Sequence, residues 1–216
     1  MGAGDVVAGV LVKALEVQAP LARRNYERLR RVSPDATPED LAQQLTRCYL
    51  NAVTVSGGLA GGVGVVPGAG IASAGIDAVS FLEGSVLYVL TLAEIHGLHP
   101  EDAERRGLLV RTILIGDSAV TALGKGTQRT SQYWGKQIVS GIPMSTVKQI
   151  NKVLGPRFVT KYGTKTGVVV LSKQVPFGIG AGLGAGANHL VARSIIKQSR
   201  KVLGPPPTTF PAHVTA

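Results

Sequence analysis

Residues 51–97 read NAVTVSGGLAGGVGVVPGAGIASAGIDAVSFLEGSVLYVLTLAEIHG, and this stretch decides the fold. Its first part, residues 51–76, contains no charged residue and holds eight of the chain's 28 glycines. A segment this apolar has to be removed from water, either inside a protein core or in lipid. Val66-Pro67-Gly68 interrupts the helical pattern, so the stretch predicts two helices joined as a hairpin.

The composition of the whole chain favours helices that pack closely. Its 216 residues suffice for one domain with a sizeable core. Aromatic residues make up only 5% of the chain, so aliphatic and small side chains must fill that core. We therefore expect an all-α fold: a single multi-helix bundle around the glycine-rich hairpin, with a second glycine-rich helix near the C-terminus. Residues 1–204 are predicted to form this domain, and the Pro-rich residues 205–216 a flexible tail.

Capping residues predict where the first helices begin and end. Apolar spacing predicts a first helix over residues 4–31. Thr37 and Pro38, followed by two acidic residues, predict that the second helix starts at Pro38. Gly97 predicts the end of a third helix that begins near Ala69.

The second half of the chain is predicted to contain shorter helices. The apolar pattern after residues 99–102 predicts a fourth helix that continues to about Leu123, followed by the polar loop GKGTQRTS. Gly155-Pro156 predicts a helix end with broken helix beyond it. Pro176 is predicted to open the last helix.

Glycines recur at helical spacing in both glycine-rich segments. A glycine in an exposed helix costs about 1 kcal/mol relative to alanine, so a run of them needs a compensating gain. Close approach of another backbone supplies that gain, and we expect the two glycine surfaces to face each other. The predicted helix-packing glycines are Gly57, Gly58, Gly61, Gly62, Gly180, Gly182, Gly184 and Gly186.

Acidic residues interrupt the apolar third helix at Asp77, Glu83 and Glu94. A carboxylate buried in lipid would mark a functional site, whereas one that faces solvent or pairs with a lysine would be structural. A membrane-spanning hairpin needs about 20 strongly apolar residues in each arm, but glycine dilutes the first arm and the acids interrupt the second. Three alternatives stay open at this point: a spanning hairpin, a buried soluble hairpin, and a hairpin that inserts conditionally.

Positive charge is concentrated in the second half of the chain. The net charge is +10, and residues 108–216 carry 14 basic residues and one acidic residue. Nucleic acid and anionic lipid are the usual polyanionic partners of such a surface. Stacking aromatics are scarce and no nucleic-acid-binding motif is present, so lipid is favoured, with a merely solvated basic face as the alternative. Basic residues spaced by four predict anionic-lipid contacts at Lys148, Lys152, Lys161, Lys165, Arg193, Lys197, Arg200 and Lys201.

The sequence contains no motif for catalysis or for cofactor binding. Gly124-Lys125-Gly126 lacks the upstream glycine and the following hydroxyl of a phosphate-binding loop, and GxSxG does not occur. The four histidines and the single Cys48 do not form a metal-binding set, and one cysteine excludes an internal disulfide. We therefore expect no catalytic residue, no cofactor and no metal.

Two blocks of the sequence resemble the EcsC family. Residues 57–77, GGLAGGVGVVPGAGIASAGID, with the apolar helix and the Pro-Glu helix start after them, resemble its first half. NKVLGPRFVTKYGTKTG and VPFGIGAGLGAGANHLVARSI resemble its second half, so that the similarity spans about residues 40–203. His96 stands where the family more usually has tyrosine. The resemblance implies a bacterial, membrane-associated helical protein and carries over no catalytic residue.

These features together predict a non-enzymatic, amphitropic protein that is an accessory to a transport or secretion system. Its expected partners are an anionic membrane surface and, through the resemblance, transporter subunits. The N-terminal residues 1–20 have no basic region ahead of their apolar run, so we expect the protein in the cytoplasm, at the inner face of the cell membrane. The alternatives are a cytosolic carrier of a hydrophobic ligand or lipid, and an enzyme with a pocket between the glycine-rich helices.

Overall fold

A computed structural model describes residues 3–62, 69–128, 130–172 and 179–210. All regular structure in these ranges is helical, which confirms the predicted all-α class. The helices are α1 (Ala3–Val32), α2 (Pro38–Gly62), α3 (Ala69–Ile95), α4 (Ala103–Ile115), α5 (Asp117–Thr127), a short π-helix (Gln137–Gly141), α6 (Met144–Ser172) and α7 (Ile179–Leu203). Side chains are described in the same ranges except at residues 3, 4, 6, 56–62, 69–78, 163–172, 179–185 and 187.

Helix α3 is the centre of the bundle and packs against α1, α2, α4, α6 and α7. Its sequence from residue 81 onward is apolar on nearly every side, which suits a helix that is surrounded by others. Val86, Val89 and Ala93 are fully buried, so this half of the helix is covered by protein. Within the described ranges, none of the helices has the length and apolarity needed to cross a membrane.

Helix α2 begins at Pro38, as predicted, because a reciprocal capping arrangement fixes its first turn. The backbone N–H of Asp40 donates to the Thr37 hydroxyl at 3.2 Å, and the backbone N–H of Thr37 donates to the Asp40 carboxylate at 2.9 Å. Both N–H groups would otherwise lack a partner at the helix end. The Thr37 hydroxyl also donates to the Asp40 carboxylate, at 2.6 Å, and this hydrogen bond, together with the one from the Thr37 backbone N–H, holds the pKa of Asp40 below its usual value.

The end of α3 at Gly97 is also confirmed. Gly97 has a φ of +68°, and the N–H of Leu98 reaches back to the carbonyl of Ala93 at 2.9 Å. This is the bonding pattern of a Schellman motif, which requires a left-handed residue after the helix and therefore favours glycine.

The two glycine-rich helices α2 and α7 pack against each other, as we expected. The Asn188 side chain donates to the carbonyl of Val53 at 3.4 Å, and Thr54 Oγ1 lies 3.1 Å from His189 Nδ1. Gly186 is exposed, and a Cβ placed on it would meet no atom within 4 Å, so this glycine does not line the interface. The surroundings of the other predicted packing glycines lie outside the described residues.

The predicted fourth helix is two helices, because the chain breaks at Gly116. This residue has a φ of +88°, which a side chain would strain, and a Cβ on it would lie 3.3 Å from the Gln198 side chain of α7. The break lets α5 start in a new direction along α6. Helix α5 then extends to Thr127, so the first half of the predicted polar loop is helical.

Helix α6 continues through Gly155-Pro156, where we predicted a helix end. A proline inside a helix removes one backbone hydrogen bond. Leu154 and Phe158 flank it and are almost fully buried, so tertiary packing retains the helix across the proline. The last helix is described from Ile179, and its predicted opening at Pro176 lies outside the described residues.

Part of the segment predicted as a flexible tail, residues 205–210, contacts α1. The Phe210 ring packs against Tyr26 of α1, with 6.4 Å between ring centroids. The Arg30 guanidinium lies 3.7 Å above the same ring, in cation–π geometry. Proline-rich composition indicated a chain without a core, but one aromatic anchor is enough to dock this segment on α1.

A candidate anion-binding surface

The outer side of α7 carries a continuous row of exposed residues. Gly186, Leu190, Arg193, Lys197 and Lys201 recur every three or four positions, which places them on one side of the helix. All five are exposed, and Leu190 reaches 70% exposure. The opposite side is buried in the bundle through Ala192, Ile195, Ser199 and Val202. The outer side of α7 thus combines a large exposed apolar side chain with a line of cations.

These cations border an open groove of about 550 Å³. One wall is α7, and the other is formed by Gln132 and Tyr133, which precede the π-helix. The residues that line the groove are Gln132, Tyr133, Arg193, Ile196, Lys197, Arg200 and Lys201. Four of these seven are cationic, so the groove is built to attract negative charge.

Tyr133 forms a fixed aromatic wall of this groove. Its ring packs on Gly204, where a Cβ would lie only 2.9 to 3.0 Å from three ring atoms. Gly204 also has a φ of +83°, so both its conformation and this contact favour glycine. The Ser131 hydroxyl donates to the Tyr133 carbonyl at 2.6 Å, and the Gln132 amide lies 3.3 Å from the Tyr133 hydroxyl. The ring is therefore positioned before any ligand arrives.

Asp117 supplies a negative charge at the edge of the groove. The Lys201 ammonium donates to its carboxylate at 2.7 Å. This hydrogen bond is the largest cause that holds the pKa of Asp117 below its usual value, and Lys197 adds to the effect. The two side chains are 69% and 56% exposed, so water screens the pair and it contributes little to folding stability. Asp117 nevertheless forms an ion pair with one of the four groove cations, Lys201, when no ligand is bound.

The cations of α6 reach the same end of α5. Arg157 donates to the carbonyl of Ser118 at 3.2 Å, beside Asp117. The predicted lipid contacts Lys148 and Lys152 are exposed on α6. Arg157 therefore adds one cation of α6 beside Asp117.

Lys161 does not belong to this surface, contrary to the prediction. Its ammonium lies 2.7 Å from the carbonyl oxygens of Leu114 and Ile115 at the end of α4. Carbonyl groups in the last turn of a helix lack intrahelical partners, and a lysine can satisfy them. Tyr162 donates to the Leu114 carbonyl as well, at 3.0 Å. Lys161 is therefore engaged in packing α6 onto α4, and the Lys165 side chain lies outside the described residues.

Two of the three acids predicted on α3, Glu83 and Glu94, have side chains that the structure describes. Glu83 is half-buried, and the Asp77 side chain lies outside the described residues. Glu94 contacts His99 Nδ1 at 2.7 Å. In the described part of the chain, no group of three or more His, Cys, Asp or Glu side chains is arranged to hold a metal ion.

A second cleft, of about 600 Å³, lies between α1 and the turn that connects α3 to α4. Its charged lining residues are mixed in sign: Glu16, Arg23, Arg24, Glu27, Glu94, Glu101 and Arg106. Arginines and glutamates alternate there, and Arg23 pairs with Glu27 at 3.4 Å. Because the charges offset one another, this cleft lacks the single-signed field of the α7 groove.

The buried tyrosines of the bundle are structural. Burial raises the pKa of both Tyr49 and Tyr88, so these hydroxyls stay protonated at neutral pH. The Tyr49 hydroxyl lies 2.8 Å from Ser85 Oγ, and the Tyr88 hydroxyl lies 3.2 Å from Thr46 Oγ1. Each hydroxyl thus has a partner, and the two rings stack between α2 and α3.

Sequence reasoning missed the wall formed by Gln132 and Tyr133 and the pairing of Asp117. The only signal was an aromatic pair, Tyr133-Trp134, beside the polar residues Ser131 and Gln132, and this pair is distant in sequence from the cations of α7. Spacing along one helix predicts which cations share a face. It does not predict which loop lies opposite that face.

The chain matches no protein-family model, no curated protein and no solved structure. The resemblance to the EcsC family therefore stays a prediction.

Proposed function

We propose that this protein binds anionic membrane surfaces peripherally through the outer side of α7. The observation that carries the proposal is the convergence of Arg193, Lys197, Arg200 and Lys201 on one groove, with Asp117 as their acidic neighbour. Phosphate headgroups would meet the cations, and the cytoplasmic leaflet of the cell membrane is the surface of matching sign. This assigns the protein to the inner face of that membrane.

Leu190 completes the binding face. It lies one turn before Arg193 on the same side of α7 and is 70% exposed. Beside cations that lie at the headgroup level, an exposed leucine gains free energy when its side chain is removed from water below the headgroups. The cations would supply the attraction and Leu190 the insertion.

The strength of the interaction follows from the net charge of the surface. Four cations and one acid leave three net positive charges, each worth about 1 kcal/mol near an anionic leaflet, which amounts to about two orders of magnitude in affinity. The attraction should weaken at high salt, because the screening length falls from about 8 Å at physiological ionic strength to about 3 Å at 1 M.

Vesicle flotation tests this proposal with two charge-matched variants. Arg193→Gln/Lys197→Gln removes two charges from α7, and Arg24→Gln/Arg31→Gln removes two exposed charges from α1. With vesicles of phosphatidylcholine and phosphatidylglycerol, the α7 variant should lose about 30-fold in affinity and the α1 variant less than about threefold. Equal losses in both variants would show that only total charge matters. Equal binding of the unaltered protein to pure phosphatidylcholine, or no binding at all, would refute the proposal.

A further inference from the structure

We infer that the groove between Tyr133 and α7 is a binding site for one lipid headgroup, of the class that carries a phosphomonoester on a polyol ring. The inference rests on the proposed function, because it names the ligand class of the same surface. Attraction to an anionic membrane needs only exposed charge. The groove also has a defined volume, two arginines and an aromatic wall, and these features favour one class of ligand over others.

The size of the groove fits a single headgroup. At about 550 Å³ it lies within the range of about 300 to 1,000 Å³ that small-molecule sites occupy. Its cations come from successive turns of one helix, so their spacing is fixed by α7. The helix backbone thus fixes where the cations start, and their side chains converge on the groove that they line.

The charge of the groove favours a phosphomonoester over a phosphodiester. Lys201 is engaged with Asp117, which leaves Arg193, Lys197 and Arg200 for a ligand. A phosphomonoester carries about −1.5 to −2 charges at neutral pH, compared with about −1 for the diester of an ordinary phospholipid. Arginine binds such a group through two parallel hydrogen bonds, and the groove contains two arginines.

The opposite wall favours a ring with hydroxyl groups. Tyr133 is held by Gly204 behind it and is 39% exposed, so part of its surface remains open to the groove. An aromatic face carries partial negative charge and packs against the weakly positive C–H groups of a polyol or sugar ring. The Gln132 amide and the Tyr133 hydroxyl, which lie 3.3 Å apart, can both donate to and accept from ring hydroxyls. Phosphatidylinositol phosphate combines all these features.

The test compares vesicles of equal surface charge. Phosphatidylcholine vesicles receive either phosphatidylinositol phosphate or enough phosphatidylglycerol to give the same zeta potential. The unaltered protein should bind the former at least about tenfold more tightly. Tyr133→Leu and, separately, Gln132→Ala should reduce this preference severalfold, and circular dichroism of each variant should match that of the unaltered protein, which shows that the variants are folded.

Soluble inositol bisphosphate separates a lipid ligand from a free one. It should compete with the phosphatidylinositol phosphate vesicles but bind more weakly than they do, because it lacks the membrane contact of Leu190. Soluble bisphosphate that binds as tightly as the vesicles would overturn the lipid as the source of the headgroup. Equal binding to both charge-matched vesicles would overturn the headgroup site and leave the proposed function standing. Absence of binding to either vesicle would refute both.

Discussion

Replacing Asp117 by asparagine should strengthen membrane binding while it weakens the fold. The carboxylate of Asp117 holds Lys201 at 2.7 Å and is the acid beside the four groove cations. The substitution keeps the shape of the side chain and raises the net charge of the surface from three to four. At about 1 kcal/mol per charge near an anionic leaflet, affinity for anionic vesicles should rise about fivefold.

The expected change in folding stability has the opposite sign. Asp117 is the first residue of α5, where a negative charge is worth about 0.3 to 1 kcal/mol. Its pair with Lys201 is more than half exposed on both sides and adds at most about 1 kcal/mol. The free energy of unfolding should therefore fall by about 1 kcal/mol, as measured by urea denaturation.

The assay is vesicle flotation at physiological salt, with Asp35→Asn as the matched control. Asp35 is an exposed residue of the turn between α1 and α2, so its substitution changes the total charge by the same amount at a different place. The control should bind the vesicles like the unaltered protein. If Asp117→Asn leaves the affinity unchanged or lowers it, or if Asp35→Asn raises it equally, the assignment of Asp117 as the counter-ion of the groove is refuted.

Two further predictions concern the stability of the bundle. Thr37→Ala should lower the free energy of unfolding by about 1 kcal/mol at neutral pH. Thr37 lowers the pKa of Asp40 in the folded state, so the stabilisation that Thr37 gives through the Asp40 carboxylate is fully present above the unfolded pKa of about 3.9. This stabilisation is lost as the pH falls through the folded pKa of Asp40. Urea denaturation should therefore show a smaller effect of the substitution in acid. Asn151→Ala should cost about 2 to 3 kcal/mol, because buried Asn151 accepts a hydrogen bond from the Arg111 guanidinium at 3.0 Å and the charged donor would lose its partner. Asn51→Ala, at an exposed position of α2, should change stability by less than about 0.5 kcal/mol, and a comparable loss at both sites would contradict the role of Asn151.

Helix boundaries that depend on neighbouring residues were predictable from the sequence. The start of α2 at Pro38 and the end of α3 at Gly97 were both correct, because the groups that complete each helix end lie within a few residues of it. The all-α class followed in the same way from spacing within segments. No contact across the bundle was needed for either inference.

Boundaries that depend on distant contacts were not predictable. Gly155-Pro156 has the composition of a helix end, yet α6 continues because Leu154 and Phe158 are both buried against other helices. Gly116 is an ordinary glycine in the sequence, yet it divides α4 from α5 where Gln198 packs against it. At Pro156, tertiary packing outweighs the local cost of a proline inside a helix, which is a few kcal/mol. At Gly116, tertiary packing decides that this glycine, and not another in the chain, ends the helix.

The sequence predicted which cations of the candidate site share one helix face, but it did not predict the residues that form the opposite wall of the groove. Helical spacing correctly grouped Arg193, Lys197 and Lys201 on one exposed face. Lys161 follows the same rule of spacing, but it binds the end of α4, and no pattern within α6 distinguishes it from its neighbours. The wall formed by Tyr133 depends on its contact with Gly204, which only the folded chain brings about.

The docking of Phe210 on α1 has a consequence for how the protein is made. Tyr26 and Arg30 belong to α1, whereas the Phe210 ring that packs on them is synthesised after α7. Until then Tyr26 lacks this cover, and an uncovered aromatic side chain is a point at which a chaperone or a second nascent chain can attach. A residue translated after α7 thus completes a contact surface that α1 presents until then.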